Sequence, residues 1–300
     1  MFPSYADHIL HFGIVGGSIS GLSAAYWLRR AGHIVTIIEK HPIQVFQDQK
    51  YGGLRIPPNI TRLFKKIDGM EDTFQKKGSL NEGTLFYQEE TGEVVGRTLF
   101  EEELMADLGS KYYRVPYSDL WNHLYEFCKA CDVRFKFDFQ VARATFGNPG
   151  KEVPKITSTA GEEFHCDVII GADGHNSTIR EMILPDLLHD EDSSDSDELD
   201  ESSKAAHFPN IEEWVTFSIP LDKVKNDSDL NFLTQHYFGV MWMGDGVAHF
   251  SGIEGNDQYV INVFYPFRRF GSDDMDWDST EPIPVSAEEI EGTECVPLCV

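Results

Sequence analysis

No run of the chain approaches the roughly 18 consecutive apolar residues that a membrane-crossing helix needs, so no membrane span is expected. Basic side chains are scarce: 25 Lys and Arg face 50 Asp and Glu, a formal charge of −25. Such a surface repels nucleic acid and anionic lipid unless a local basic patch intervenes, and the sequence offers no basic run. Cysteine is sparse too. Five residues is an odd count without framework spacing, and the opening MFPSYADHILHFG lacks the basic stretch and long apolar core of a signal peptide. A reducing, cytoplasmic compartment is therefore expected. The triplets beginning at Asn59, Asn176 and Asn226 would matter as glycan acceptors only in a secreted protein. Cys299 stands next to last, whereas a prenylation motif places its cysteine fourth from the end. No repeat with a period of about 20 to 50 residues is visible, which argues against a solenoid or propeller.

What is present is enough apolar material, 41% of 300 residues, to build a sizeable core in two domains or in one large domain with an insert. Residues 13–40 read GIVGGSISGLSAAYWLRRAGHIVTIIEK. A short apolar run ends at Gly16 and Gly17. Leu22, Ala24, Ala25 and Leu28 then form a helical stripe that Gly32 stops, and Ile34 to Ile38 reads as a second buried strand. The unit is βαβ. A helix beginning near Asn59, a good N-cap type, follows YGGLRIPPN. A hairpin turning at Thr91-Gly92 is expected between Gly83 and Phe100. Asp119 to Ala130 reads as a helix, Val133 to Phe139 and Lys155 to Thr159 as strands, and Phe164 to Gly171 as a single buried strand. Runs around Trp214 to Ile219, Tyr237 to Met243, Val247 to Ile253 and Tyr259 to Tyr265 predict an antiparallel β layer of different character.

The first turn has the form of a dinucleotide-binding fingerprint with Ser18 at its middle glycine. Gly16 allows the tight turn and Gly21 lets the helix lie close on the sheet, while the helix N-terminus offers amides and a positive dipole end to a phosphate. Glu39, about 20 residues on, closes the second strand where a carboxylate can accept hydrogen bonds from a ribose. A glycine at position 18 would keep a Cβ away from the pyrophosphate. Serine is the smallest polar replacement, and its hydroxyl can donate to a phosphate oxygen if φ stays negative. A P-loop is excluded because Leu22 follows Gly21, and a nucleophile elbow because neither Ser18 nor Ser20 has glycines two before and two after.

DVIIGADGHNSTIR, residues 167–180, places a buried strand ahead of Gly171, Asp173 and Gly174. This stretch resembles the second fingerprint of the single-component FAD-dependent aromatic hydroxylases, the family of para-hydroxybenzoate and salicylate hydroxylases. YGGLRIPPN, with Gly53 and Asn59, and VPYSDLWNHL are similar to further segments of that family, and WVTFSIPLDKV with the β layer to Tyr265 more loosely to its substrate-domain sheet. The resemblance implies an α/β fold, a Rossmann-like FAD-binding domain with an added antiparallel β-sheet substrate domain. It implies FAD as cofactor, NADPH or NADH as a transient co-substrate, O2, and a small, aromatic substrate. The cofactor residues carried over are Gly16, Ser18, Ile19, Ser20, Gly21, Glu39, Lys40, Gly53, Asp173 and Gly174. No acid or base is named, and no metal is expected.

The departures are specific. Tyr117 stands where the family has a flavin-contacting arginine, and Arg114 is the nearest arginine that can substitute. MGDGVAHF, residues 243–250, matches the letters of the family's third fingerprint but leads into a strand-like run, so a hairpin turn at Gly244-Asp245-Gly246 is expected instead. On that reading the third motif is missing, and the chain is read as C-terminally shortened at Val300. The expected domains are residues 1–185 for FAD, with a hairpin insert near 80–100, then an acidic disordered loop at 186–206, a β layer at 207–271 and an irregular tail at 272–300. CKAC, from Cys128 to Cys131, has no second ligand pair and reads as core. His249 reads as structural. Two alternatives to the monooxygenase stay open: a degenerate, non-catalytic flavin-binding homologue, and an NAD-dependent dehydrogenase that uses the first βαβ unit alone and leaves Asp173-Gly174 unexplained.

Overall fold

The computed structural model describes residues 6–47, 52–147, 152–184, 213–244 and 248–265. The expected acidic loop and the tail at 272–300 lie outside the described residues, as do Cys295 and Cys299. In chain order the elements begin with β1 (His11–Val15), α1 (Ile19–Arg30), β2 (Ile34–Ile38), α2 (Ile43–Gln47), β3 (Gly53–Ile56) and α3 (Pro58–Phe64). They continue with α4 (Met70–Lys77), β4 (Ser79–Leu80), β5 (Gly83–Gln88), β6 (Val94–Leu99), α5 (Glu102–Asp107), β7 (Tyr113–Pro116) and α6 (Tyr117–Ala130). Then come β8 (Arg134–Lys136), β9 (Val141–Thr145), β10 (Lys155–Ser158), β11 (Glu163–His165), β12 (Val168–Gly171) and α7 (Thr178–Ile183). The last are β13 (Glu213–Pro220), α8 (Leu221–Asn226), β14 (Phe238–Met243), β15 (Ala248–Glu254) and β16 (Gln258–Tyr265).

Two compact units result, one from the described parts of Met1–Gln49 and Leu120–Glu201, the other from those of Lys50–Asp119 and Ser202–Val300. The first unit carries a parallel sheet in the order β12-β1-β2-β8 and a three-stranded antiparallel sheet, β11-β10-β9. Its strands are parallel because helical crossovers return the chain to the same sheet end, and strands so covered become apolar on both faces. Ile14, Val15, Val35, Ile37 and Ile38 are accordingly all buried. A second cluster joins Val15 and Ile38 to Ile156, Phe164 and Ile179, tying the antiparallel sheet to the parallel one. Trp121 of α6 is fully buried and stacks on Phe46 and on Tyr125, each with ring centroids 4.8 Å apart.

The second unit holds a six-stranded sheet, β13-β16-β15-β14-β5-β6, and a small antiparallel sheet, β3-β7-β4. The hairpin expected near 80–100 forms as β5 and β6, and β5 pairs in parallel with β14. The β layer is therefore mixed rather than purely antiparallel at that junction. β14 and β15, which flank the segment resembling a third fingerprint, pair antiparallel with Met243 opposite Ala248, while Asp245 and Gly246 of the expected turn lie outside the described residues. Of the turn itself only Gly244 is described.

Three local expectations are corrected. α3 starts at Pro58, with Pro57 in the N-cap position, because proline suits the first helical turn, where its missing N–H has no partner to lose; Asn59 lies inside the helix. The run Phe164 to Gly171 is two strands, since the chain changes sheets at Cys166-Asp167 and an apolar run does not reveal such a switch. The strand from Val133 shortens to Arg134–Lys136, ended by Asp138 in the left-handed region at φ 57°.

Candidate functional site

In the first unit the turn after β1 is built around absent side chains. Gly16 has φ +106°, and a Cβ on it would lie 2.2 Å from the Ala172 carbonyl oxygen and 2.9 Å from Asp173 N. The two glycine-bearing segments, more than 150 residues apart, are thus in direct backbone contact. They are also locked in register: β1 pairs with β12 from Phe12↔Val168 to Val15↔Gly171, and Ala172 N–H donates to the Val15 carbonyl at 2.7 Å. A Cβ on Gly21 would fall 1.9 Å from the Gly16 carbonyl oxygen, so the helix can lie this close only without one.

Ser18 is the N-cap of α1, with φ −79° and ψ −172°. Its φ is negative, the condition under which a serine can occupy the position, and its side chain makes no capping bond to its own helix. Ile19 and Ser20 open the helix, whose first turn carries no acidic residue to oppose an anion. Ser20 and Lys40 are exposed.

Glu39 is buried and its carboxylate is held from two sides: Gly17 N–H donates to Oε2 at 2.7 Å and His41 N–H to Oε1 at 2.9 Å. A carboxylate has about four acceptor positions, so two remain for a ligand. Asp173 is engaged as well. Its Oδ1 accepts the Ser177 hydroxyl at 2.5 Å and its Oδ2 the Ile179 N–H at 3.1 Å, while Ser177 caps α7 by accepting Arg180 N–H at 3.0 Å. Gly174, at φ +83°, has nothing within 4 Å of its would-be Cβ and is exposed.

Nine of the ten predicted cofactor residues lie in this unit; Gly53 lies in the other, at the start of β3. There it borders a cavity of about 240 Å³ that Arg55, Arg114, Phe250, Gly252 and Glu254 also line. Arg114 is fully buried within the second unit, so the arginine suggested as a stand-in at Tyr117 sits in this cavity. Burial lowers its pKa to about 10, a shift countered by Glu254, and burial raises that of Glu254 to about 7 against the pull of Arg114 and Arg55. His249 is buried and lies 3.4 Å from Glu89 Oε1, in keeping with a structural role. Cys128 is also structural: its thiol donates to the Leu22 carbonyl at 3.3 Å, and burial pushes its pKa up to about 12. Among the described residues no cluster could hold a metal ion.

Two contributors escaped sequence reasoning. Trp121 Nε1 donates to the Gly17 carbonyl at 2.8 Å, bracing the turn from α6, and Gly17 itself supplies the amide that holds Glu39. The signal for Trp121 was its place in VPYSDLWNHL, one residue past the Asp-Leu pair.

The family described as FAD binding domain matches residues 10–224. The chain belongs to that family. The expected cofactor, FAD, is the one for which this FAD binding domain family is named, and the resemblance to FAD-dependent aromatic hydroxylases is borne out. Among curated relatives, the FAD-dependent monooxygenase OpS4 of Beauveria bassiana is 28% identical over 182 residues, covering 59% of this chain and 40% of that protein. The 6-hydroxynicotinate 3-monooxygenase of Pseudomonas fluorescens is 28% identical over 177 residues, covering 58% and 43%. Klebsiella pneumoniae HpxO, solved with FAD and uric acid, superposes with a TM-score of 0.66 at 17% identity, covering 90% of this chain and 60% of that one, which shows the fold. The chain spans 38% to 53% of the length of the curated relatives it matches. No described helix of this FAD binding domain protein is long and apolar enough to cross a membrane.

Proposed function

We propose that the protein is an FAD-dependent monooxygenase that takes reducing equivalents from NADPH or NADH and uses O2 to hydroxylate a small aromatic substrate. The observation that carries this reading is the contact of Gly16 with Ala172 and Asp173, which brings both nucleotide motifs to one end of one parallel sheet. An NAD-dependent dehydrogenase needs the first motif alone and gives the second no role.

The residues present suit the cofactor. Gly16, Ser18, Ile19, Ser20 and Gly21 form an amide-lined turn at a helix N-terminus for the pyrophosphate. Glu39, already oriented by Gly17 and His41, offers its remaining lone pairs to the ribose, with Lys40 exposed beside it. Asp173 and Gly174 form the opposite wall, Gly174 leaving space where a side chain would stand.

FAD, when bound, supplies hydride acceptance and oxygen activation, chemistry that no side chain provides. The protein contributes position: Glu39 and Asp173 hold their turns through backbone amides, so the site is preorganised before any ligand enters. The names of the curated relatives support a ring-containing substrate. The test is titration of the purified protein with FAD, followed by NADPH or NADH oxidation with and without aromatic acids. Bound flavin with substrate-stimulated oxidation is expected. Flavin bound without turnover under any condition would favour a non-catalytic homologue.

A further inference from the structure

Gly17 is held at both ends by side chains. Its N–H donates to Glu39 Oε2 at 2.7 Å, and its carbonyl accepts the Trp121 indole N–H at 2.8 Å, both bonds inside the core. Glycine is the residue whose backbone turns most freely. Gly17 has no side chain to restrain the two peptide planes that flank it, and the second of them leads into Ser18, the N-cap of α1. An indole offers a single donor and no acceptor. Trp121 is fully buried, and its donor is spent on this turn.

The contact belongs to a closed circuit. From Gly17 it runs to Glu39 and then to His41, whose N–H donates to Glu39 Oε1 at 2.9 Å. The His41 ring meets Phe46 of α2 edge-on, with centroids 6.4 Å apart, and Phe46 stacks on Trp121 at 4.8 Å with the planes 5° from parallel. Trp121 returns to Gly17. The two segments that carry Gly16 to Gly21 and Glu39 to Lys40 therefore meet in one side chain of α6. That helix and the residue after it meet α1 twice more: Cys128 Sγ donates to the Leu22 carbonyl at 3.3 Å, and the Cys131 carbonyl accepts Arg29 Nε–H at 2.7 Å. Trp121 is the contact at the N-terminal end of α1.

We infer that Trp121 is a positioning residue of the cofactor turn: its indole N–H fixes the Gly17–Ser18 peptide, and with it the direction in which the N-terminus of α1 meets the FAD pyrophosphate. It acts through Gly17. Stacking on Phe46 and Tyr125 sets the indole plane and hence the direction of its N–H. With the N–H removed, the Gly17 carbonyl is left buried without this partner, and the turn samples orientations that FAD must first reverse. Such an equilibrium weakens binding in proportion to the fraction of molecules that are competent. That the turn holds FAD rests on the reading given above; that Trp121 orders the turn does not.

The test replaces Trp121 in the full chain with benzothienylalanine, which keeps the fused ring and its stacking but carries sulfur in place of the N–H, and beside it uses Trp121→Phe. FAD titration, and amide hydrogen exchange of the unliganded protein, are read on the same samples. FAD affinity should fall about tenfold. Exchange over residues 17–22 should accelerate by a like factor while that of β2 keeps the parent's rate, and added FAD should restore the protection. Parental FAD affinity in the benzothienylalanine protein overturns the inference. So does exchange raised uniformly through β1, α1 and β2, which marks a role in general stability alone. If Trp121→Phe does not fold, the shape-keeping replacement decides. A parent that binds no FAD removes the cofactor reading, and the exchange pattern then keeps or sinks the ordering role by itself.

Discussion

The Gly17 amide donates to the Glu39 carboxylate at 2.7 Å, across 22 residues of chain and inside the core. This bond makes Glu39 a brace of the turn as well as the proposed ligand for the FAD ribose. Replacing it with alanine leaves two amides, those of Gly17 and His41, without their acceptor, at about 1–3 kcal/mol for each that stays buried. Glu39→Ala should therefore lower both stability and FAD affinity, whereas Glu39→Gln, which keeps one oxygen acceptor, should lose less of each. Urea unfolding and FAD titration on both variants check this; loss of FAD affinity with unchanged stability would contradict the bracing role.

Gly16→Ala forces a side chain into a left-handed backbone position and against Ala172. The backbone term alone costs about 1–3 kcal/mol, and the clash adds to it. Ser18→Gly, by contrast, alters a position that already has negative φ and whose side chain caps nothing in α1. It should change stability by only a few tenths of a kcal/mol and leave FAD binding within a few-fold. Flavin titration of the pair gives the contrast, and a large gain in affinity on Ser18→Gly would mean that the serine obstructs the pyrophosphate.

Asp173 caps the start of α7 through Ser177 and Ile179. Asp173→Ala should cost about 1 kcal/mol of stability, the ordinary value of a lost cap, in addition to any loss of flavin. Hydrogen exchange over residues 178–183 should speed up in the variant even without FAD; unchanged protection there would remove the capping role.

Glu254 has its pKa raised by burial to about 7 in the folded protein, from 4.5. The folded state therefore holds a proton that the unfolded chain releases between those values, and stability should fall as pH rises from about 5 to 8. The loss is on the order of 3 kcal/mol, the linkage equivalent of such a shift. Facing it are Arg55 from β3 and Arg114 from β7, with Tyr112 and Tyr259 near Arg114. Thermal melts across that range should flatten in Glu254→Gln; an equally steep profile in the variant would assign the effect to other groups.

The parallel βαβ core was legible because each of its strands is apolar on both faces and each of its turns is written in glycine. Both fingerprints were legible for the same reason: a position that excludes a Cβ, such as Gly16 against Ala172, leaves a mark on the sequence. What hid was long-range pairing. Nothing in Gly83–Gln88 announces a parallel partner in Phe238–Met243, because strand periodicity reports which face is buried and not which neighbour is hydrogen-bonded. Nor does an apolar run such as Phe164 to Gly171 show where the chain leaves one sheet for another. In sequence Arg114 is simply the arginine nearest Tyr117, whereas its position opposite Arg55 depends on β3–β7 register, which side-chain types alone do not specify.

The most direct measurement is the visible absorption of the purified chain after incubation with FAD and removal of free cofactor by gel filtration, with Gly16→Ala run beside it. A retained flavin band in the parent and its loss in a folded Gly16→Ala variant is the predicted result. A folded, colourless parent at saturating FAD would contradict the proposal that Gly16 and Asp173 bound one flavin site.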